Sequence, residues 1–287
     1  MANKSQSDYE QRHEGEMSRR RILSYLVGAG AVGGMGFLIN RCVKKIESVD
    51  SGSMSHFLRF GEPSMIDKVR SSVSLLDKIQ PAETYYTIST LNDLLRLSRN
   101  HRPARYVLLR DIDCGGQEIE PIGTNINPFY GIFDGQGYRI SNFRISKPRT
   151  SYLGLFGYVK SSFTPGSEVC NGIVANLAIE NASVTGFDNV GVLAGRLDVA
   201  AILNCSVTKS SVDGRKTVGL LVGQSTVGFI KSSSAYGFVK CDDYGGEMVG
   251  VESSSVIEDC FTDVIIDCKG QYRGGLSGLN EDRKSVV

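Results

Sequence analysis

The sequence predicts an all-β fold, a parallel β-solenoid, carried behind an N-terminal membrane helix and a short α-helical linker and cap. Two observations carry the solenoid. The triplets Leu155-Phe156-Gly157, Leu193-Ala194-Gly195, Leu221-Val222-Gly223, Met248-Val249-Gly250 and Leu276-Ser277-Gly278 recur at spacings of 38, 28, 27 and 28. A second ladder, Val184, Val212, Val239 and Ile266, keeps the same period, and Gly191, Gly219, Gly246 and Gly274 stand two residues before the last four triplets. A third observation carries the membrane segment: the nineteen residues from Ile22 to Asn40 hold no charge.

Residues 1–17 are polar and mixed in charge, and read as a disordered tail. Residues 18–45 read as a transmembrane anchor or export signal. A helix over 22–40, rising ~1.5 Å per residue, just spans a ~30 Å hydrocarbon core. Ser18-Arg19-Arg20, followed by Ile22 and Leu23, looks like a twin-arginine export signal. Ser24 stands where a lysine often follows, and no convincing cleavage site follows the segment, so an uncleaved anchor is expected. Basic residues flank both ends. The slight excess at Arg12 and Arg19 to Arg21 places the N-terminus inside.

Residues 46–103 form a linker. Met65, Ile66, Val69, Val73, Leu76 and Ile79 fall at three- and four-residue steps, which predicts an amphipathic helix over 64–79, ended by Pro81. Ile88, Leu91, Leu94, Leu95 and Leu97 predict a second short helix with Ser89 or Thr90 as its N-cap.

Residues 104–287 hold the repeat. A fixed period of 27–28 residues means stacked units. Each unit carries short period-2 runs of Val, Ile and Leu broken by Gly, Asn, Asp and Ser, with no helical periodicity, which excludes two-helix repeats. A propeller blade would need about 40 residues per unit. Successive coils of a solenoid stack in parallel at about 4.8 Å, so one column keeps one character. Leu155, Leu193, Leu221, Met248 and Leu276 are therefore the expected core ladder. Glycines are expected to supply the positive-φ corners and the close approach of walls. Thr217 and Ser225 are expected at tolerant corners.

Composition bounds function. The 287 residues carry Lys+Arg 32 against Asp+Glu 31, a net charge of +1, which gives no reason to expect nucleic acid. All three histidines lie at or before His101. Seven cysteines form no C-x-x-C pair and no zinc-like spacing, so no metal or cofactor is expected. Cys241 and Cys268 are one repeat apart and each follows its ladder residue by two. They are expected in adjacent coils at one corner, within reach of a disulfide.

Residues 106–122 and 129–145, with LGLFG, NLAIENASVTGFDNVGVLAG and NCSVTKSSVDGRKTVGLLVG, resemble the GLUG-type repeat of bacterial surface proteins. That group includes large adhesins and the non-catalytic region of immunoglobulin A peptidases. The resemblance covers about residues 86–280 and implies a right-handed parallel β-helix and a surface role. The metalloprotease motif H-E-x-x-H is absent.

Asp111 and Asp113 share a strand face, as a hydrolase pair would, yet also suit a turn near the first coil. Asp188, Asp213, Asp242 and Asp243 alternate with Arg215 and Lys216, as on a solvated face. Phe129, Tyr130, Phe133, Tyr138 and Phe143 suit core packing or a carbohydrate surface. The expected function is an anchored, exported binding, adhesion or structural module, with a carbohydrate or protein ligand, the membrane as partner through residues 22–40, and self-association through the open C-terminal coil. The alternatives are a polysaccharide-acting β-helix enzyme and a scaffold subunit of a membrane complex.

Overall fold

Strands of two to nine residues, all paired in parallel, wind into about six coils between Tyr85 and Asn280 in a computed structural model. It describes residues 66–67, 69–71, 85–161, 171–270 and 272–281. One coil shows the plan. Ile173–Ala175 lies on the first wall, Ala178–Glu180 and Ser183–Thr185 on the second, Asp188–Val190 on the narrow third, and Ala194–Asp198 on the fourth. Ala201–Leu203 then returns to the first wall beside Ile173–Ala175. The 28-residue period is the perimeter of this coil. Val184 accordingly pairs in register with Val212, and Val212 with Val239.

Period-2 alternation decides which side chains enter the coil. Ile179, Val207 and Ala235 stack inward on the second wall and are buried, as are Val174, Ile202 and Ile230 on the first. Leu155, Leu193, Leu221 and Met248 occupy one column and are fully buried, while Leu276 on the last coil is half-buried. The Leu193 amide donates to the Leu221 carbonyl at 3.1 Å, and the Leu221 amide to that of Met248 at 3.1 Å. Phe129, Phe133 and Phe143 fill the first coils, whereas Tyr138 is 39% exposed.

Glycine does not make most of the corners, contrary to the expectation. Asn176, Asn204, Ser232 and Asp259 stack in one corner column with φ of 54°, 49°, 51° and 52°. Asn142, Asn181 and Lys209 occupy a second such column. Asparagine tolerates the left-handed region because its side chain bonds locally. Here it bonds along the column. Asn204 Nδ2 donates to Asn176 Oδ1 at 2.9 Å, and Asn176 Nδ2 donates to Asp134 Oδ1 at 3.1 Å. The repeat glycines instead let the third and fourth walls touch. A Cβ on Gly250 would stand 2.5 Å from Val218 N.

Three other expectations are corrected. Thr217 does lie at a corner, with φ of 53°, but it is only 8% exposed and bonds twice to Asn189. Ser225 is no corner residue: it lies within Val222–Thr226 and is fully buried. Ile88 belongs to a strand, Tyr85–Ile88, and pairs with Leu108, so the first wall begins before residue 104. The helix that follows, α1 (Leu91–Arg99), starts at Thr90. The Thr90 hydroxyl accepts from the Asp93 amide while the Asp93 carboxylate accepts from the Thr90 amide. Leu94 and Leu97 of α1 are buried in the core of the first coil.

The first wall is buried on both faces. Ile132, Ile173, Ala201, Phe229 and Val256 form an outward column in register. Residues 66–67 and 69–71 are helical and lie against it, with Val69 1% exposed. Arg70 places its guanidinium 5.5 Å from the Phe229 ring centroid and 3.1 Å from Glu258. The proposed membrane segment, 22–40, lies outside the described residues. Among the described residues no helix is long and apolar enough to cross a membrane.

Candidate functional surface

The solenoid's outer charges are paired mainly between neighbouring coils. Along the corner between the second and third walls, Arg215 meets Asp188 at 2.8 Å, Lys240 meets Asp213 at 2.8 Å, and Lys269 meets Asp242 at 2.8 Å. Each pair is 27 residues apart, so the stacking register builds it. The Lys269 bond holds the Asp242 carboxyl below its ordinary range, and the Asp213 bond raises Lys240. Arg215 also covers the Phe187 ring at 4.2 Å. Apart from Asp188, these residues, with Pro148, Thr185 and Cys241, line a shallow groove of about 410 Å³. A second depression of about 260 Å³ lies beside Lys216, Gln224 and Tyr244. Lys216 Nζ stands 5.4 Å from the Tyr244 ring, which packs 4.9 Å from Tyr272.

The carboxylates singled out as a hydrolase pair are used in turns. Asp111 accepts from the Arg139 amide at 2.9 Å and from its guanidinium at 3.0 Å. Asp113 accepts from Asn142 Nδ2 and from the Gly115 amide, both at 2.8 Å. The Asn142 bond, then the Gly115 amide, hold Asp113 below its ordinary range, opposite to the shift a general acid needs. Asp134 is 6% exposed and pairs with Arg105 at 3.0 Å, closing the start of the asparagine column.

The cysteines divide by position. Cys241 and Cys268 are register partners with Cα atoms 4.5 Å apart, and the structure joins them as a disulfide. Cys205, Ser233 and Cys260 make another column, in which the serine separates the two thiols. Burial pushes the Cys205 thiol up to about 12 and the Cys260 thiol up to about 11. Among the described residues no group of His, Cys, Asp and Glu has the arrangement of a metal site.

Of the residues picked from sequence, the core ladder forms one column and the two cysteines meet. Ser18, Arg19, Arg20, Ile22 and Leu23 lie outside the described residues. Sequence reasoning missed the apolar outer column of the first wall. Its signal was present as paired apolar residues recurring at the repeat, Ile173-Val174, Ala201-Ile202, Phe229-Ile230 and Val256-Ile257. Such pairs mark a strand covered on both faces.

Two known proteins resemble parts of the chain. One is halomucin of Haloquadratum walsbyi, 35% identical over 155 residues, which are 49% of this chain and 2% of halomucin. The other is a protein of Evansella cellulosilytica described as a Gly-rich membrane protein, 37% identical over 86 residues, 28% of this chain and 9% of that protein. The chain thus spans only a small part of the length of either. No family model matches, and no solved structure matches.

Proposed function

We propose that the chain is a cell-envelope module, anchored through residues 22–40 and presenting its β-solenoid outside the membrane for adhesion, binding or structural support. The observation that carries this reading is the coil itself: among the described residues, parallel strands stack between Tyr85 and Asn280, and surface ion pairs join coil to coil. Such a stack holds an extended surface in fixed geometry. Likeness to a protein described as a membrane protein supports the location, and the resemblance to GLUG-type repeats supports the surface role. The ligand class is a carbohydrate or a protein, met on the outer walls rather than in a deep pocket.

Fractionation and protease shaving of the native host test this. The chain should sediment with membranes, and added protease should remove the solenoid from intact cells or spheroplasts. Replacing Arg19 and Arg20 together by Lys should block export. A chain that stays protected in intact cells and is released as a soluble protein on lysis overturns the proposal.

A further inference from the structure

The last coil is held on less apolar burial than the coils beneath it. Val239 and Met248 are fully buried, whereas their register partners above, Ile266 and Leu276, are half-buried. At the end of the strand that carries Ile266 stands Cys268, joined to Cys241 of the coil below. Both sulfurs are enclosed, each cysteine being 2% exposed. Gly245 makes room for them, since a Cβ there would stand 2.7 Å from Cys241 Sγ. Among the described residues the other thiols are not placed to substitute: Cys114 lies in the first coil, beside Ile112–Asp113. Cys205 and Cys260 are two coils apart, about 9.6 Å at the usual strand spacing.

We infer that the Cys241–Cys268 pair is a redox clasp: it keeps the last coil docked when oxidised and lets that coil open when reduced. The enclosure of both sulfurs sets the order of events. Stacking brings the thiols together first, and an oxidant reaches them only while Phe261–Cys268 is lifted from Ser234–Cys241. One thiolate then attacks an external disulfide, displacing one thiolate of the oxidant and leaving a mixed disulfide. The second cysteine thiolate attacks the protein sulfur of that mixed bond and displaces the other. The protein loses two thiol protons and two electrons, and the oxidant leaves as two thiols. Reduction runs the two exchanges backwards: when Phe261–Cys268 lifts, an external dithiol restores both cysteine thiols and leaves as its own disulfide.

The test uses the purified full-length chain. It is first equilibrated with oxidised glutathione, then compared with and without dithiothreitol by amide hydrogen exchange. Mass mapping of the unreduced protein should find Cys241 joined to Cys268. Reduction should speed exchange within Phe261–Cys268 by at least about tenfold while leaving Ser206–Gly214 unchanged, the mark of local rather than global opening. A chain with Cys241→Ser and Cys268→Ser should exchange like the reduced protein under both conditions. Should that variant fail to fold, reduction of the unaltered chain still decides. Free thiols at both positions after oxidation, unchanged exchange on reduction, or equal acceleration in Ser206–Gly214 would each overturn the clasp.

Discussion

Ser225 Oγ lies 2.9 Å from Ser255 Oγ, bridging two successive coils in a place where Ser225 meets no solvent. Ser255 Oγ also accepts from the Gly228 amide at 3.0 Å. This hydroxyl pair sits where the chain passes from the fourth wall to the first. Replacing Ser225 by Ala removes the bridge, while the Ser255 hydroxyl keeps the Gly228 amide and the Ser253 carbonyl. The expected cost is about 0.5–1.5 kcal/mol, that of one net hydrogen bond, read as a lower denaturant midpoint with an unchanged m-value. A change under about 0.5 kcal/mol, the usual effect at an exposed site, would contradict the buried bridge.

The core column predicts a gradient. Leu221 is fully buried between Leu193 and Met248, so Leu221→Ala should cost about 2–5 kcal/mol. Leu276 occupies the same column on the last coil but is half-buried, and its truncation should cost about 1–2 kcal/mol. Equilibrium unfolding of both variants measures the difference. Equal losses would mean that the last coil is as well packed as those beneath it.

How much of this was legible follows from what each column asks of its residues. An inward position needs an apolar side chain of fixed size, so Leu193, Leu221 and Met248 announce the period. A disulfide needs two cysteines one period apart, and Cys241 and Cys268 stand at that spacing. A left-handed corner needs only a residue that tolerates the strain or bonds locally. Asn176, Asn204, Ser232 and Asp259 share that duty without sharing a character, and the periodic glycines drew the assignment away from them. The serine bridge was missed because Ser225 alternates with polar Gln224 and Thr226. Nothing in that run distinguishes an inward hydroxyl from an outward one. The charged corner was readable as solvated, but its partners were not. Asp188 and Arg215 meet only because the 28-residue perimeter sets Lys216 opposite Asp188 and Arg215 next to it.

Acid should loosen the second wall through Glu180. Its carboxylate accepts from Lys209 Nζ at 2.9 Å and is flanked by the Arg139 guanidinium. The Lys209 bond first, then that of Arg139, hold Glu180 below its ordinary range against the opposing effect of burial. The folded carboxyl therefore titrates below the unfolded one. Its contribution is complete above the unfolded value and disappears as pH falls through the folded one. Unfolding midpoints of the unaltered chain and of Glu180→Gln, measured from pH 7 down to about pH 3, should converge as the carboxylate is protonated. A gap between the two that is constant across this range would show that the charge of Glu180 is not linked to folding.

Gly250 and Gly275 should respond unequally to a side chain. Gly250 stands where the fourth wall approaches the third. A Cβ there would lie 2.5 Å from Val218 N and 2.6 Å from the Gly223 carbonyl oxygen. Both neighbours are backbone, held in register by the coil ladders, so neither can turn aside as a side-chain tip could. Gly275 has no atom within 4 Å of the corresponding position. Gly250→Ala should therefore cost about 1–3 kcal/mol or more through forced separation of the walls. Gly275→Ala should stay within about 0.5 kcal/mol of the unaltered chain. The repeat carries a glycine in the Gly250 register at Gly195, Gly223 and Gly278, so Gly223→Ala should behave like Gly250→Ala. Thermal and denaturant unfolding of the three variants decides the matter. If Gly250→Ala and Gly275→Ala lose the same stability, the contact between the third and fourth walls is not what keeps those positions free of a side chain.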